Sequence, residues 1–182
     1  HNLAWMSTLS GDTQAVLECA RQTFREPALR YVRLDRQHLP DVYPAGDTRF
    51  VRDGLVEIER GSGMCLVANG YMLQKAREVR AALKEEGIDL GIVDAYRVKP
   101  IDATVLARVL GPYERIVTLE EHFLSGGLGG ALLESMADAG LQRPVKRLGI
   151  ADRYYCENGG REYLHRLAGI DVPTVTRSVL AF

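Results

Sequence analysis

Cysteine is scarce in this chain and falls in no metal-binding or redox pattern. Cys19, Cys65 and Cys156 are odd in number and far apart. The absence of a Cys-x-x-Cys pair excludes a zinc ribbon and a thioredoxin-type motif. Cys19 lies in a helical pattern and Cys65 in a strand pattern, so both are expected to be buried free thiols, as in a reducing cytoplasm. Excess charge of either sign is also lacking. The 23 Lys and Arg nearly cancel the 24 Asp and Glu, leaving −1, which excludes the electrostatic footprint of bulk nucleic-acid binding. No apolar run approaches the roughly 20 residues needed to span a bilayer. The first residues lack the basic and apolar regions of a signal peptide, and no tract is compositionally disordered. Three catalytic or phosphate-binding motifs are missing: Gly-x-x-x-x-Gly-Lys-Ser/Thr, His-Glu-x-x-His and Gly-x-Ser-x-Gly.

What remains is the balance of an ordinary globular protein, 46% apolar and 26% charged over 182 residues. That length supports one full hydrophobic core, or one core and part of a second. The chain opens on His1-Asn2 without an initiator Met and reads as a piece of something larger.

The hydrophobic pattern divides the chain. Ser10-Gly11-Asp12 signals a helix start, followed by Val16, Leu17, Ala20 and Phe24 on one helical face. Glu26-Pro27 ends that helix, and residues 28–34 read as a strand. Residues 35–47, with Pro40, Pro44 and Gly46, read as a linker. Residues 54–60 then suggest one arm of a hairpin turned by Gly61-Ser62-Gly63. Met64 to Ala68 is a continuous apolar run, the pattern of a strand buried on both faces. A helix to about Glu86 follows. Strands at 88–94, 115–119 and 145–150 alternate with helices starting near Asp102, Gly126 and Gly160, and a last helix covers 173–180. Strands alternating with helices argue for βαβ crossovers. The expected fold is a three-layer α/β sandwich around a five-stranded, mostly parallel sheet with one antiparallel strand. Residues 1–47 are expected to be the terminal helix and strand of a preceding domain plus a linker. Residues 48–182 are expected to form the next domain.

Several residues invite a functional reading. Gly126-Gly127-Leu128-Gly129-Gly130 could present bare amides to a phosphate. It does not fit Gly-x-Gly-x-x-Gly, and a tight strand-to-helix turn is the plainer reading. Glu120-Glu121-His122 ends a strand, where open α/β sheets place functional groups. Adjacent residues on a strand point to opposite sides, however, so Glu121 and His122 do not converge into an acid/base pair. His165 lies in an amphipathic helix, expected on its solvated face, and Asp102 is expected to cap a helix. Arg30, Arg33 and Arg36 form the densest basic cluster. Arg36 follows the strand and can offer its planar fork to a phosphate.

The segment Arg33-Leu34-Asp35-Arg36-Gln37-His38-Leu39-Pro40 resembles the arginine-glutamine-x-leucine-proline segment of transketolases. That segment closes their pyrimidine-binding domain and enters the linker. In the same order, Val67-Ala68-Asn69-Gly70, residues 93–102 (Val-Asp-Ala-Tyr-Arg-Val-Lys-Pro-Ile-Asp) and Val117-Thr118-Leu119-Glu120-Glu121-His122 resemble the transketolase C-terminal domain. Gly126-Gly127-Leu128-Gly129 with Glu134, and Gly159-Gly160-Arg161-Glu162, complete the series.

The resemblance implies a thiamine-diphosphate enzyme using Mg²⁺ or Ca²⁺ that transfers two-carbon ketol units between sugar phosphates. It implies a dimer, with the cofactor between the pyrophosphate-binding domain of one subunit and the pyrimidine-binding domain of the other. The C-terminal domain would serve assembly. One role carries over by position: Arg36 would contact the substrate phosphate. The family's Gly-Asp-Gly metal motif and its cofactor-activating glutamate are absent from this sequence. This piece alone is therefore expected to bind neither cofactor nor metal and to be inactive. The expected partners are a second copy and the missing pyrophosphate- and pyrimidine-binding regions, with no nucleic acid or membrane. Deoxyxylulose-phosphate synthase and the beta subunit of 2-oxoacid dehydrogenase E1 components share the architecture, although the Arg36 segment favours transketolase. A stand-alone interaction or regulatory module of the same fold is the alternative from a different class.

Overall fold

The computed structural model describes residues 5–9, 13–35, 39–44, 47 and 53–182, the first of these as backbone. The helix-start signal at Ser10-Gly11-Asp12, together with Arg36 and His38, lies outside the described residues. Eight strands are described: β1 (Trp5–Leu9), β2 (Arg30–Leu34), β3 (Val56–Glu59), β4 (Met64–Ala68), β5 (Gly91–Asp94), β6 (Arg97–Lys99), β7 (Arg115–Phe123) and β8 (Val145–Ile150). Six helices accompany them: α1 (Thr13–Arg25), α2 (Met72–Glu85), α3 (Ala103–Leu110), α4 (Leu128–Asp138), α5 (Arg161–Ala168) and α6 (Val172–Leu180).

The larger sheet has the order β3-β5-β4-β7-β8. β4 pairs in parallel with β5 and β7, β7 pairs in parallel with β8, and β3 runs antiparallel to β5. The expected five-stranded sheet with one antiparallel member is therefore present. The hairpin is not: β3 skips its sequence neighbour β4 and joins β5 on the sheet edge. All five residues of β4 are buried, and their alternation builds two core layers. Leu66 and Ala68 pack with Met72, Ala76, Val79 and Leu83 of α2 and with Val175 and Val179 of α6. Cys65 and Val67 face the other way, toward Leu106 and Leu110 of α3 and Leu132 and Met136 of α4. Cys19 and Cys65 are buried thiols, and Cys156 is exposed.

Asp102 caps α3 as expected, accepting from the backbone N–H of Thr104 at 2.8 Å and of Val105 at 3.0 Å. Asp102→Ala should cost about 1 kcal/mol, readable as a lowered urea midpoint at constant slope.

The N-terminal segment forms a second sheet, β2-β1-β6, in which β1 is parallel to β2 and antiparallel to β6. β6 has three residues and takes its partner from far away in the chain, so no local pattern announces it. α1 also departs from expectation. Its buried side is Ala15, Cys19 and Gln22, while Phe24 is 90% exposed and Leu17 45% exposed. The helix turns its smaller residues to the core formed with Val42 and Tyr43 and leaves its larger apolar residues outside. Leu29, Tyr31 and Leu34 of the following strand region are exposed beside them. Tyr43 anchors this linker by donating its buried hydroxyl to Asp94 at 2.5 Å.

Candidate functional site

The chain leaves β4 toward β5 on one side and later returns to place β7 on the other. The carboxyl ends of β4 and β7 therefore flank the topological switch point, where open α/β sheets form a crevice. A crevice of about 440 Å³ lies there, lined by Asn69, Gly70 and Tyr71 after β4, Glu120 to His122 on β7, and Gly126 to Leu128. Arg33, Leu34 and Asp35 close it from the N-terminal segment, and Arg161 closes it from α5.

β7 sends successive side chains to opposite faces. Glu120 points inward and is buried. Its Oε2 accepts from the N–H of Leu128 at 2.6 Å and its Oε1 from the N–H of Gly129 at 3.0 Å. Burial raises its pKa, and the two amides only partly oppose that. The glycine turn makes the approach possible. Gly126 has φ +74°, and a Cβ on Gly127 would sit 1.9 Å from Glu120 Oε2. The glycine segment is thus a tight turn whose helix N-terminus is already filled by an internal carboxylate. A diphosphate placed there would have to displace the Glu120 carboxyl from the Leu128 and Gly129 amides, so these residues do not fit a phosphate-bearing cofactor. Among the described residues, no group of three or more His, Cys, Asp or Glu is placed to hold a metal.

Glu121 points to the other face and meets α5. Arg161 grips its carboxylate with two bonds, Nε to Oε1 and Nη2 to Oε2, both 2.8 Å. Nε2 of His165 lies 2.7 Å from Oε1. Burial would raise the Glu121 pKa, but the bonds from His165 and Arg161 override it and pull it down to about 2. The same Arg161 guanidinium reaches across to the N-terminal segment, with Nη1 and Nη2 at 3.2 and 3.3 Å from the two Asp35 oxygens. It also lies over the Tyr71 ring, 4.0 Å from the centroid. Tyr71 donates to Glu162 at 2.6 Å, and Lys75 bonds the other Glu162 oxygen at 2.8 Å. Burial and Glu162 push the Tyr71 phenol up to about 12.

The structure separates the expected site residues. His122 is exposed, with Nδ1 against the Phe123 carbonyl, and does not join Glu121. His165 corrects the expectation of a solvated face: it is 3% exposed and bonded to Glu121. Arg30 turns back onto Glu26, whereas Arg33 lines the crevice. The pairings of Arg161 and His165 with Glu121 are invisible to local patterns because they span 40 and 44 residues. The available signal is Arg161-Glu162 directly after Gly159-Gly160, at the start of a helix. No helix among the described residues is long and apolar enough to cross a membrane.

Comparison with known proteins places this chain in a family. The family model described as transketolase, C-terminal domain, matches residues 54–175. A 1-deoxy-D-xylulose-5-phosphate synthase of Thermomicrobium roseum is 38% identical over 85% of this chain and 24% of its own length. A subunit of the apulose-4-phosphate transketolase of Phocaeicola vulgatus is 30% identical over 100% of this chain and 60% of its own. Among solved structures, a split-gene transketolase in an inactive beta4 tetramer aligns with a TM-score of 0.85 at 27% identity. The match covers 97% of this chain and 57% of that one. The chain thus spans between about a quarter and 60% of these relatives. With the family model matching about two thirds of it, the chain belongs to the transketolase C-terminal domain family.

Proposed function

We propose that this chain is the C-terminal portion of a transketolase-like, thiamine-diphosphate enzyme that moves two-carbon ketol units between sugar phosphates. Residues 1–47 end its pyrimidine-binding domain and form the linker, and residues 48–182 are its C-terminal domain. The supporting observation is the extent of the likeness. The apulose-4-phosphate transketolase relative aligns over the whole chain, including the segment with Arg36 that precedes the family match at residue 54. Thiamine diphosphate and Mg²⁺ or Ca²⁺ belong to the complete enzyme, where the cofactor supplies the carbanion chemistry. This piece contributes assembly and, through Arg36, a substrate-phosphate contact. Its partners are a second copy and the pyrophosphate- and pyrimidine-binding regions. One relative is a transketolase subunit and another a tetramer, which supports such an assembly. So do the exposed apolar residues on α1 and β2. The cytoplasm is the expected location.

The test is Arg36→Ala in the complete enzyme. Losing a charge-assisted, partly desolvated contact costs roughly 2–4 kcal/mol. KM for phosphorylated sugars should therefore rise far more than for unphosphorylated ones, and equal effects on both would remove the phosphate role. The 38% identity to a deoxyxylulose-phosphate synthase favours a second reading. Product analysis separates the two: 1-deoxy-D-xylulose 5-phosphate against a sugar phosphate lengthened by a ketol unit.

A further inference from the structure

The switch-point crevice, where this class of sheet takes its ligands, has a volume of about 440 Å³, within the range of small-molecule sites. Three carboxyl groups line it, and each already accepts from within the chain. Glu120 holds the amides of Leu128 and Gly129. Glu121 is gripped by Arg161 and bonded to His165, and Asp35 takes another side of the same guanidinium. The donors are not matched in this way. Arg33 enters from near the end of β2, exposed, and among the described residues its guanidinium has no partner. Arg30, from the same basic cluster, is instead folded back onto Glu26. His122 lines the crevice too. Its Nδ1 lies against the Phe123 carbonyl, and its Nε2 makes no bond among the described residues.

Engaged acceptors beside open donors call for a ligand that brings acceptors, and a guanidinium without a carboxylate calls for a negative one. Two features narrow the class. Asp35 and Glu121 share one arginine, so a unit of negative charge already sits on that wall. A dianion meets more repulsion there than a single charge does. Leu34 and Val98 reach the same crevice, and Leu34 is 55% exposed, so a carbon body gains by covering it. We infer that the crevice is a binding site for a small, singly charged organic anion. Its carboxylate pairs with Arg33 in the planar, two-bond manner that a guanidinium favours and accepts from His122. Its carbon body covers Leu34 and Val98. The ligand then touches the N-terminal segment through Arg33 and Leu34 and the larger sheet through His122, so binding joins the two across the crevice.

The test is a proton NMR titration of the 182-residue chain with isobutyrate, isobutyramide and inorganic phosphate, at fixed ionic strength and pH. His122 is the reporter, its ring signals assigned by their loss in His122→Gln. Isobutyrate should shift them saturably. Isobutyramide has the same shape without the charge and should bind at least about tenfold more weakly, the loss of a charge-assisted hydrogen bond. Arg33→Ala should weaken isobutyrate by the same factor. Arg25→Ala, which removes an exposed arginine of α1, should leave the affinity unchanged. Phosphate should bind more weakly than isobutyrate. Absence of a saturable shift would overturn the assignment. So would unchanged affinity in Arg33→Ala, an equal loss in Arg25→Ala, or an amide that binds as tightly as the acid. Tighter binding of phosphate than of isobutyrate would refute the singly charged carboxylate as the ligand class.

Discussion

Arg161→Met is expected to destabilise the chain by about 3 kcal/mol, the lower end of the range for breaking a buried ion pair. The lower end applies because the Arg161 and Glu121 side chains keep 25% and 23% of their surface. For a chain of this size the melting temperature should fall by roughly 6–12 °C. Methionine fills much of the same volume, so the loss is electrostatic: Glu121 and Asp35 are left facing each other without the cation between them. The effect carries a pH signature. The Glu121 carboxyl is held at about 2, below its ordinary value of 4.5. Its stabilising contribution is therefore complete above about 4.5 and fades as pH falls toward 2. The gap between wild type and Arg161→Met should be full at pH 7 and smaller at pH 3 in urea melts. An equal gap at both would remove charge from the explanation.

Gly127→Ala is expected to cost about 4 kcal/mol, the sum of two lost amide partners at about 1–3 kcal/mol each. The added Cβ would meet Glu120 Oε2 at 1.9 Å and the Phe123 carbonyl at 2.6 Å. Glu120 has no room to retreat, being buried beneath α4. Displacing it strips the amides of Leu128 and Gly129 of their acceptor. Gly130→Ala is the control, because a Cβ there meets nothing closer than the Leu124 carbonyl at 3.9 Å. It should be neutral or stabilise by about 0.5–1 kcal/mol through helix propensity. Similar melting temperatures for the two variants would contradict the role given to the Glu120 cradle.

These residues show what is legible in a sequence and what is not. Met64 to Ala68 announces a doubly buried strand because both of its faces are covered. Asp102 announces its cap because capping is a contact three residues long. The divergence of Glu121 from His122 is readable from strand alternation alone. His165 defeats its own helix pattern because its partner lies on another element and its burial is decided there. The apolar pattern of α1 marks a helix but not its buried side. A periodic pattern cannot say which of two faces the chain covers, and here Ala15 and Cys19 win over Leu17 and Phe24. A short glycine turn suggests that β3 pairs with β4, yet the sheet edge beside β5 takes it.

The central claim is that this piece serves a thiamine-diphosphate enzyme whose cofactor is held by other regions. Calorimetric titration with thiamine diphosphate and Mg²⁺ tests it most directly, run on the 182-residue chain and on its assembly with the pyrophosphate- and pyrimidine-binding regions. Saturable binding to the assembly and none to the chain is the result expected. Micromolar binding to the chain alone, or no binding to the complete assembly, would contradict it.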